Sequence, residues 1–124
     1  MNVVDSSGWL EYFGKGANAS FFKEVIQDTE NLLVPTICSY EVFKRMLTLR
    51  GEETALQAVG IMSLGREVVF TQEIAINAAK LLYDLKLAMA DSIILASTRV
   101  YDATLWTQDA DFDGIAGVRY IGKG

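Results

Sequence analysis

Four carboxylates in this chain stand where one regular pattern gives way to the next. Asp5 follows the apolar run Asn2-Val3-Val4, and Asp109 lies just past Thr104-Leu105-Trp106. Glu41 sits among Val42, Phe43, Met46 and Leu47 in the helical pattern that follows Leu32-Leu33-Val34, and Asp91 heads the helical run Ser92-Ile93-Ile94-Leu95-Ala96. Acids brought together repel one another, and their pKa values rise unless a cation holds them. A divalent ion reverses that cost. Mg²⁺ and Mn²⁺ prefer hard oxygen donors, and such an ion activates water and offsets charge on a phosphodiester. Each acid also has a plainer reading. Asp91 in a first helical turn serves the positive end of the helix dipole, and Glu41 could lie on a solvated face with Lys44 and Arg45 at i+3 and i+4.

Composition narrows the chemistry further. The 124 residues include no histidine and a single cysteine, Cys38. Ser-His-Asp and Cys-His triads, imidazole bases and histidine-type zinc sites are therefore excluded. So is an intrachain disulfide, which fits a reducing, cytoplasmic setting. Hydrolytic chemistry must run on carboxylates, with a hard metal as the economical partner. The net charge of −5 argues against a simple basic nucleic-acid module. The first residues lack the pattern of a signal peptide, and no apolar run approaches the roughly 20 residues of a membrane helix. A soluble cytoplasmic protein with no membrane association is the expectation.

The elements that must position these acids alternate along the chain, which reads as one domain over 1–124. Strands are expected at Asn2–Val4, Leu32–Val34, Glu67–Phe70, Thr104–Trp106 and Arg119–Ile121. Helices are expected at Ser6–Phe13 with Ser6 or Ser7 as cap, at Ala19–Gln27, and from Thr36 as cap to about Leu49, ending at Gly51. Others cover Glu52–Leu64, a run capped by Thr71 with an apolar stripe of Ile74, Ala78, Leu81, Leu82 and Leu85, and about Ala90–Val100. Strands separated by helices favour a parallel α/β sheet covered on both faces. In such sheets ligands collect beyond the carboxyl ends of the strands, where Asp5 and Asp109 fall.

At this point the residues resemble a known family. Asp5-Ser6-Ser7 after a first strand, Ser39-Tyr40-Glu41-Val42, Met89 to Ala96, and Leu105-Trp106-Thr107-Gln108-Asp109-Ala110-Asp111-Phe112 look like the motifs of PIN domains. Their order spans essentially the whole chain, and its size is similar to that of stand-alone VapC-type toxins. The resemblance implies a three-layer α/β/α domain with a short central parallel sheet. It also implies a metal-dependent endoribonuclease using one or two Mg²⁺ or Mn²⁺ ions and restrained by a VapB-type antitoxin. Carried over by position, Asp5, Glu41, Asp91 and Asp109 match the acidic quartet of catalytic and metal-binding residues. Ser6 or Ser7 and Thr107 match small hydroxyl positions beside it. Asp111 matches a frequent extra acid that either shares the metal or binds water beyond it. Met89-Ala90 stands where relatives often carry glycine. A homodimer or a toxin–antitoxin hetero-oligomer is implied.

An acidic protein that cuts RNA needs local cations, and Lys44, Arg45 and Arg50 are the candidates for RNA contact, with helix solvation as their plainer role. Trp9 or Tyr12 could stack on an unpaired base, or simply pack. Phe43, Met46, Leu47 and Leu49, with Leu56, Val59 and Met62, either form core or present apolar surface to a partner. The alternative function is accordingly a catalytically weak PIN-like interaction module. Asp109-Ala110-Asp111-Phe112-Asp113-Gly114 copies half of an EF-hand loop, but Tyr120 stands where that loop needs a bidentate glutamate. Phosphoaspartyl sites fit poorly, since Ser7 and the stretch Phe70-Thr71-Gln72 lack the required second acids.

Overall fold

A computed structural model describes residues 1–123. Five strands form one sheet: β1 (Asn2–Val4), β2 (Leu32–Pro35), β3 (Arg66–Val68), β4 (Thr104–Thr107) and β5 (Val118–Tyr120). Six α-helices join them: α1 (Ser6–Phe13), α2 (Ala19–Gln27), α3 (Thr36–Arg50), α4 (Glu52–Met62), α5 (Gln72–Leu85) and α6 (Met89–Val100). Every strand pairing is parallel, in the order β3-β2-β1-β4-β5. This is the expected three-layer α/β/α architecture.

The strand order is what matters for chemistry. From β1 the chain moves outward through β2 to β3, then returns to lay β4 and β5 on the other side. The reversal leaves a crevice at the carboxyl ends of β1 and β4, the place where open parallel sheets bind ligands. The register pairs Val4 with Trp106, so that Asp5 and Thr107 follow side by side.

The inner strands are built for burial on both faces. Val3, Val4, Leu33 and Leu105 are fully enclosed, with Trp9, Phe22 and Phe112 filling the space around them. Trp9 stacks on Phe13 with ring centroids 5.7 Å apart and has no exposed surface, so its role is packing and not base stacking. Gly8 lets α1 approach this core, since a Cβ there would lie 2.6 Å from Val4 Cγ1 and 2.7 Å from Phe22 Cε1. Helix α6 is buried from Ser92 through Thr98. The hydroxyls of Ser92, Ser97 and Thr98 donate back to the carbonyls of Met89, Ile93 and Ile94, which satisfies them inside the core.

Several local expectations need correction. The cap of α1 is Asp5, not Ser6 or Ser7, because its carboxylate reaches Gly8 N–H. Thr36 caps nothing; its hydroxyl donates to Glu67 Oε2 at 2.8 Å across to the neighbouring strand. Strand β3 stops at Val68, leaving Val69 and Phe70 exposed beyond the last paired residue. Helix α4 ends at Met62 rather than Leu64, while α3 ends at Gly51, whose φ of 89° suits the glycine. Thr71 does cap α5, accepting from Ile74 N–H. Along the α5 stripe, Ile74 and Ala78 are buried but Leu82 and Leu85 are exposed. On α3 and α4, Met46 and Met62 enter the core while Leu47, Leu49 and Leu56 face solvent. Among the described residues no helix is long and apolar enough to cross a membrane.

Candidate metal and catalytic centre

The crevice at the β1–β4 switch is lined with acids, each held by a different element. Asp5 ends β1 and is 2% exposed. Its Oδ1 accepts from Gly8 N–H at 2.9 Å and its Oδ2 from Thr107 Oγ1 at 2.8 Å, while Ser7 Oγ lies 2.8 and 2.9 Å from the two oxygens. Those bonds favour the ionised form, yet burial outweighs them and pushes the carboxyl up to about 6. Thr107 also accepts from Asp109 N–H at 2.9 Å, so one buried hydroxyl ties together the ends of the two central strands. Asp109 in turn caps the short 3-10 turn Ala110–Phe112, its Oδ1 accepting from Asp111 N–H at 2.9 Å.

The other two acids come from helices. Helices α3 and α6 pack against each other. Glu41 is half-buried, and its Oε1 accepts from Ser6 Oγ at 2.6 Å. That contact turns Glu41 toward α1 and the crevice, away from the solvated pairing with Lys44 and Arg45. Asp91, also half-buried, has its carboxyl raised to about 7. Burial is the largest cause, followed by the negative charges of Asp109, Asp5, Glu41 and Asp111. Asp91 thus feels every other acid singled out in the sequence.

The donor chemistry fits a hard divalent cation. One oxygen from each of Asp91, Asp109 and Asp111 can lie within 4.8 Å of the others. Three carboxylates at that spacing match the oxygen preference of Mg²⁺ or Mn²⁺, and a cation would relieve the strain that raises Asp5 and Asp91. Asp111 is exposed and closer to the group than its place two residues along the chain makes obvious. The 3-10 turn folds it back beside Asp109. Cys38, by contrast, is buried, with Sγ 3.8 Å from Val4 O. Burial and the nearby acids push its thiol up, which keeps it inert.

The three cations singled out on α3 separate. Arg45 and Arg50 line a cleft between α1 and α3 that reaches Ser7 and Gln108, and Lys123 lies on its other side. Lys44 points elsewhere, with its Nζ 5.5 Å from the centroid of the Tyr40 ring, and lines an apolar groove with Phe43 and Leu47. Consecutive helix positions diverge by ~100°, so Lys44 and Arg45 cannot share a face. A part-buried polar network at the cleft carried no signal in the sequence. Gln108 accepts from Asn18 Nδ2 at 3.0 Å, and Asn18 also bonds Gly122 O at 3.1 Å, which anchors the C-terminal segment beside the site.

Comparison with known proteins agrees with this architecture. The family model for the PIN domain matches residues 3–118. No curated protein sequence matches the chain. Among solved structures, a toxin–antitoxin complex from Klebsiella pneumoniae is 24% identical, with a TM-score of 0.79 and 96% of each chain covered. FitAcB from Neisseria gonorrhoeae is 16% identical, with a TM-score of 0.77 over 99% of this chain and 98% of that one. The Mycobacterium tuberculosis toxin VapC20, which cleaves the sarcin–ricin loop, is 16% identical, with a TM-score of 0.72 over 91% and 92%. At these identities the solved structures establish a shared fold.

Proposed function

The chain belongs to the PIN domain family, and from that premise we propose that it is a VapC-type toxin, an endoribonuclease that hydrolyses RNA phosphodiester bonds with Mg²⁺ or Mn²⁺. The observation that carries this reading is the cluster of Asp91, Asp109 and Asp111, with oxygens within 4.8 Å of one another at the β1–β4 switch, where the charges of Asp5 and Glu41 also bear on Asp91. Acids so placed are costly in a folded protein without a cation, and although Asp5 and Asp109 also cap local turns, Asp91 and Asp111 cap nothing.

Asp91, Asp109 and Asp111, whose oxygens lie within 4.8 Å of one another, would hold a divalent ion, and Asp5 and Glu41, which stand outside that group, would complete a site for one or two ions. A divalent ion held there supplies Lewis-acid stabilisation of a phosphodiester and a more acidic water. The protein's own contribution is placement. Thr107 fixes Asp5 against the backbone of Asp109, and Ser7 and Gly8 lock the Asp5 carboxylate through further donors. Ser6 holds Glu41 through Oε1, which leaves Oε2 available either to the ion or to the proton of a water beside it. With no histidine in the chain, a carboxylate of this cluster is the proposed proton acceptor.

A VapB-type antitoxin is the proposed partner, in the cytoplasm. The structural neighbours include complexes of toxins with antitoxins, and in this chain Tyr40 and Leu47, 60% and 44% exposed, line one apolar groove with Phe43 and Val59. Apolar surface of this kind suits a protein partner. The test is cleavage of a panel of structured and single-stranded RNAs by antitoxin-free protein in Mg²⁺, Mn²⁺ or EDTA, beside Asp5→Asn. Metal-dependent cleavage that disappears in the variant is expected. Failure of folded, antitoxin-free protein to cut any RNA would favour the interaction module instead.

A further inference from the structure

We propose that the cleft between α1 and α3 is the subsite for an unpaired nucleotide adjoining the scissile phosphate, with Arg45 and Arg50 taking the neighbouring phosphate of the RNA strand. This rests on the nuclease reading and deepens it. The cleft encloses about 340 Å³, within the roughly 300–1,000 Å³ of small-ligand pockets. It begins where the acid cluster ends, because Ser7, which donates to Asp5, forms part of its wall. A strand whose scissile phosphate lies at the acids therefore runs directly into it.

Charge identifies the occupant. In a chain of net charge −5, this cleft gathers Arg45, Arg50 and Lys123. The one carboxylate among its lining residues, Glu11, is engaged. Its Oε2 accepts from Asn18 N–H at 2.7 Å and its Oε1 from Gln108 Nε2 at 3.4 Å. Those donors are neutral, so Glu11 keeps its charge, but three cations against one carboxylate leave the cleft positive and open to an outside anion. Phe13 and Leu49 offer an apolar face on which a base can lie. An unpaired base can reach that apolar face, whereas a base stacked inside a duplex cannot.

The chemistry also explains why Lys44 is excluded. It carries the same charge, one residue from Arg45, but lies over Tyr40 in the other groove. That makes it an internal control.

The experiment measures binding of a fluorescein-labelled single-stranded RNA decamer of mixed sequence by anisotropy, in EDTA, across a salt series. The full chain is compared with Arg45→Gln/Arg50→Gln and with Lys44→Gln. All three residues are exposed, and thermal melts confirm that the variants fold. The double variant is expected to bind at least tenfold more weakly, and the loss of two phosphate contacts should lower the slope of log K against log salt by about 1.4. Lys44→Gln should stay within twofold of wild type, and the same RNA annealed into a duplex should bind at least tenfold more weakly than the single strand. Equal losses in Lys44→Gln and the double variant would overturn the proposal. So would duplex binding as tight as single-strand binding, or RNA affinity that is unchanged while the double variant loses affinity for an acidic peptide. Cleavage in Mg²⁺ is read separately. Wild type that binds as described but cuts nothing would refute the nuclease reading and leave the subsite standing. Wild type that cuts RNA while the double variant keeps its affinity and KM would refute the subsite alone.

Discussion

Replacing Asp91 with asparagine should stabilise the metal-free protein. The carboxyl stands raised from 3.8 to about 7, first by burial and then by the charges of Asp109, Asp5, Glu41 and Asp111. At full weight, ionising such a group above pH 7 costs the folded state about 4 kcal/mol. Asp91 is only half-buried, and solvent screening reduces the figure to about 2 kcal/mol. Because the folded pKa lies above the unfolded one, the folded state binds the proton more tightly. The cost is absent below about pH 4, grows as pH rises toward 7, and is complete above it. In EDTA, Asp91→Asn should therefore match wild type near pH 4 and melt roughly 8 °C higher at pH 7.5, on the usual unfolding entropy per residue. Saturating Mg²⁺ should reverse the order, since an ion bound at 100 times its Kd adds about 2.7 kcal/mol to the form that holds it. The assay is differential scanning calorimetry of both proteins across pH, with and without the metal. A variant that melts lower than wild type in EDTA at pH 7.5, or that gains as much from Mg²⁺ as wild type does, would refute the reasoning.

Other perturbations address the supports of the site. Thr107→Val removes a buried hydroxyl that donates to Asp5 and accepts from Asp109 N–H; cleavage should fall by about 10–100-fold, and Thr107→Ser should restore most of it. Ser6→Ala frees Glu41 and should slow cleavage several-fold, with a stability change of about 1 kcal/mol or less by denaturant melts, because the pair is only part-buried. Gly8→Ala drives a Cβ against Val4 and Phe22 at the turn that holds Asp5. It should cost about 1–3 kcal/mol in a urea melt and depress cleavage as well, whereas Gly60→Ala, with open space around its Cβ, should stabilise the α4 helix slightly.

What the sequence made legible follows from which signals are local. The apolar periodicities of α1 and α2 set both helices to the residue, and the four candidate acids stood out by their places just past strands, for Asp5 and Asp109, and in the early turns of helices, for Glu41 and Asp91. The caps were less legible. Ser6, Ser7 and Thr36 are all good capping types, but Ser6 and Thr36 are drawn to Glu41 and Glu67, residues 35 and 31 positions away. Ser7 turns back to Asp5, which caps the helix itself. Val69 and Phe70 read as strand by propensity, yet the parallel partner β2 ends at Pro35, and nothing remains for them to pair with. The division of Lys44 from Arg45 was available in principle, since Tyr40 and Lys44, like Arg45 and Leu49, share faces at i, i+4. The network of Asn18, Gln108 and Glu11 was not, because it joins segments about 90 residues apart.

Anomalous diffraction from Mn²⁺-soaked crystals tests most directly whether the acids at the β1–β4 switch form a metal centre. An anomalous peak about 2.1 Å from carboxylate oxygens of Asp91 and Asp109 is predicted, at the usual distance for a hard octahedral ion. Fully ordered acids with no manganese among them, or manganese bound only elsewhere on the protein, would contradict it.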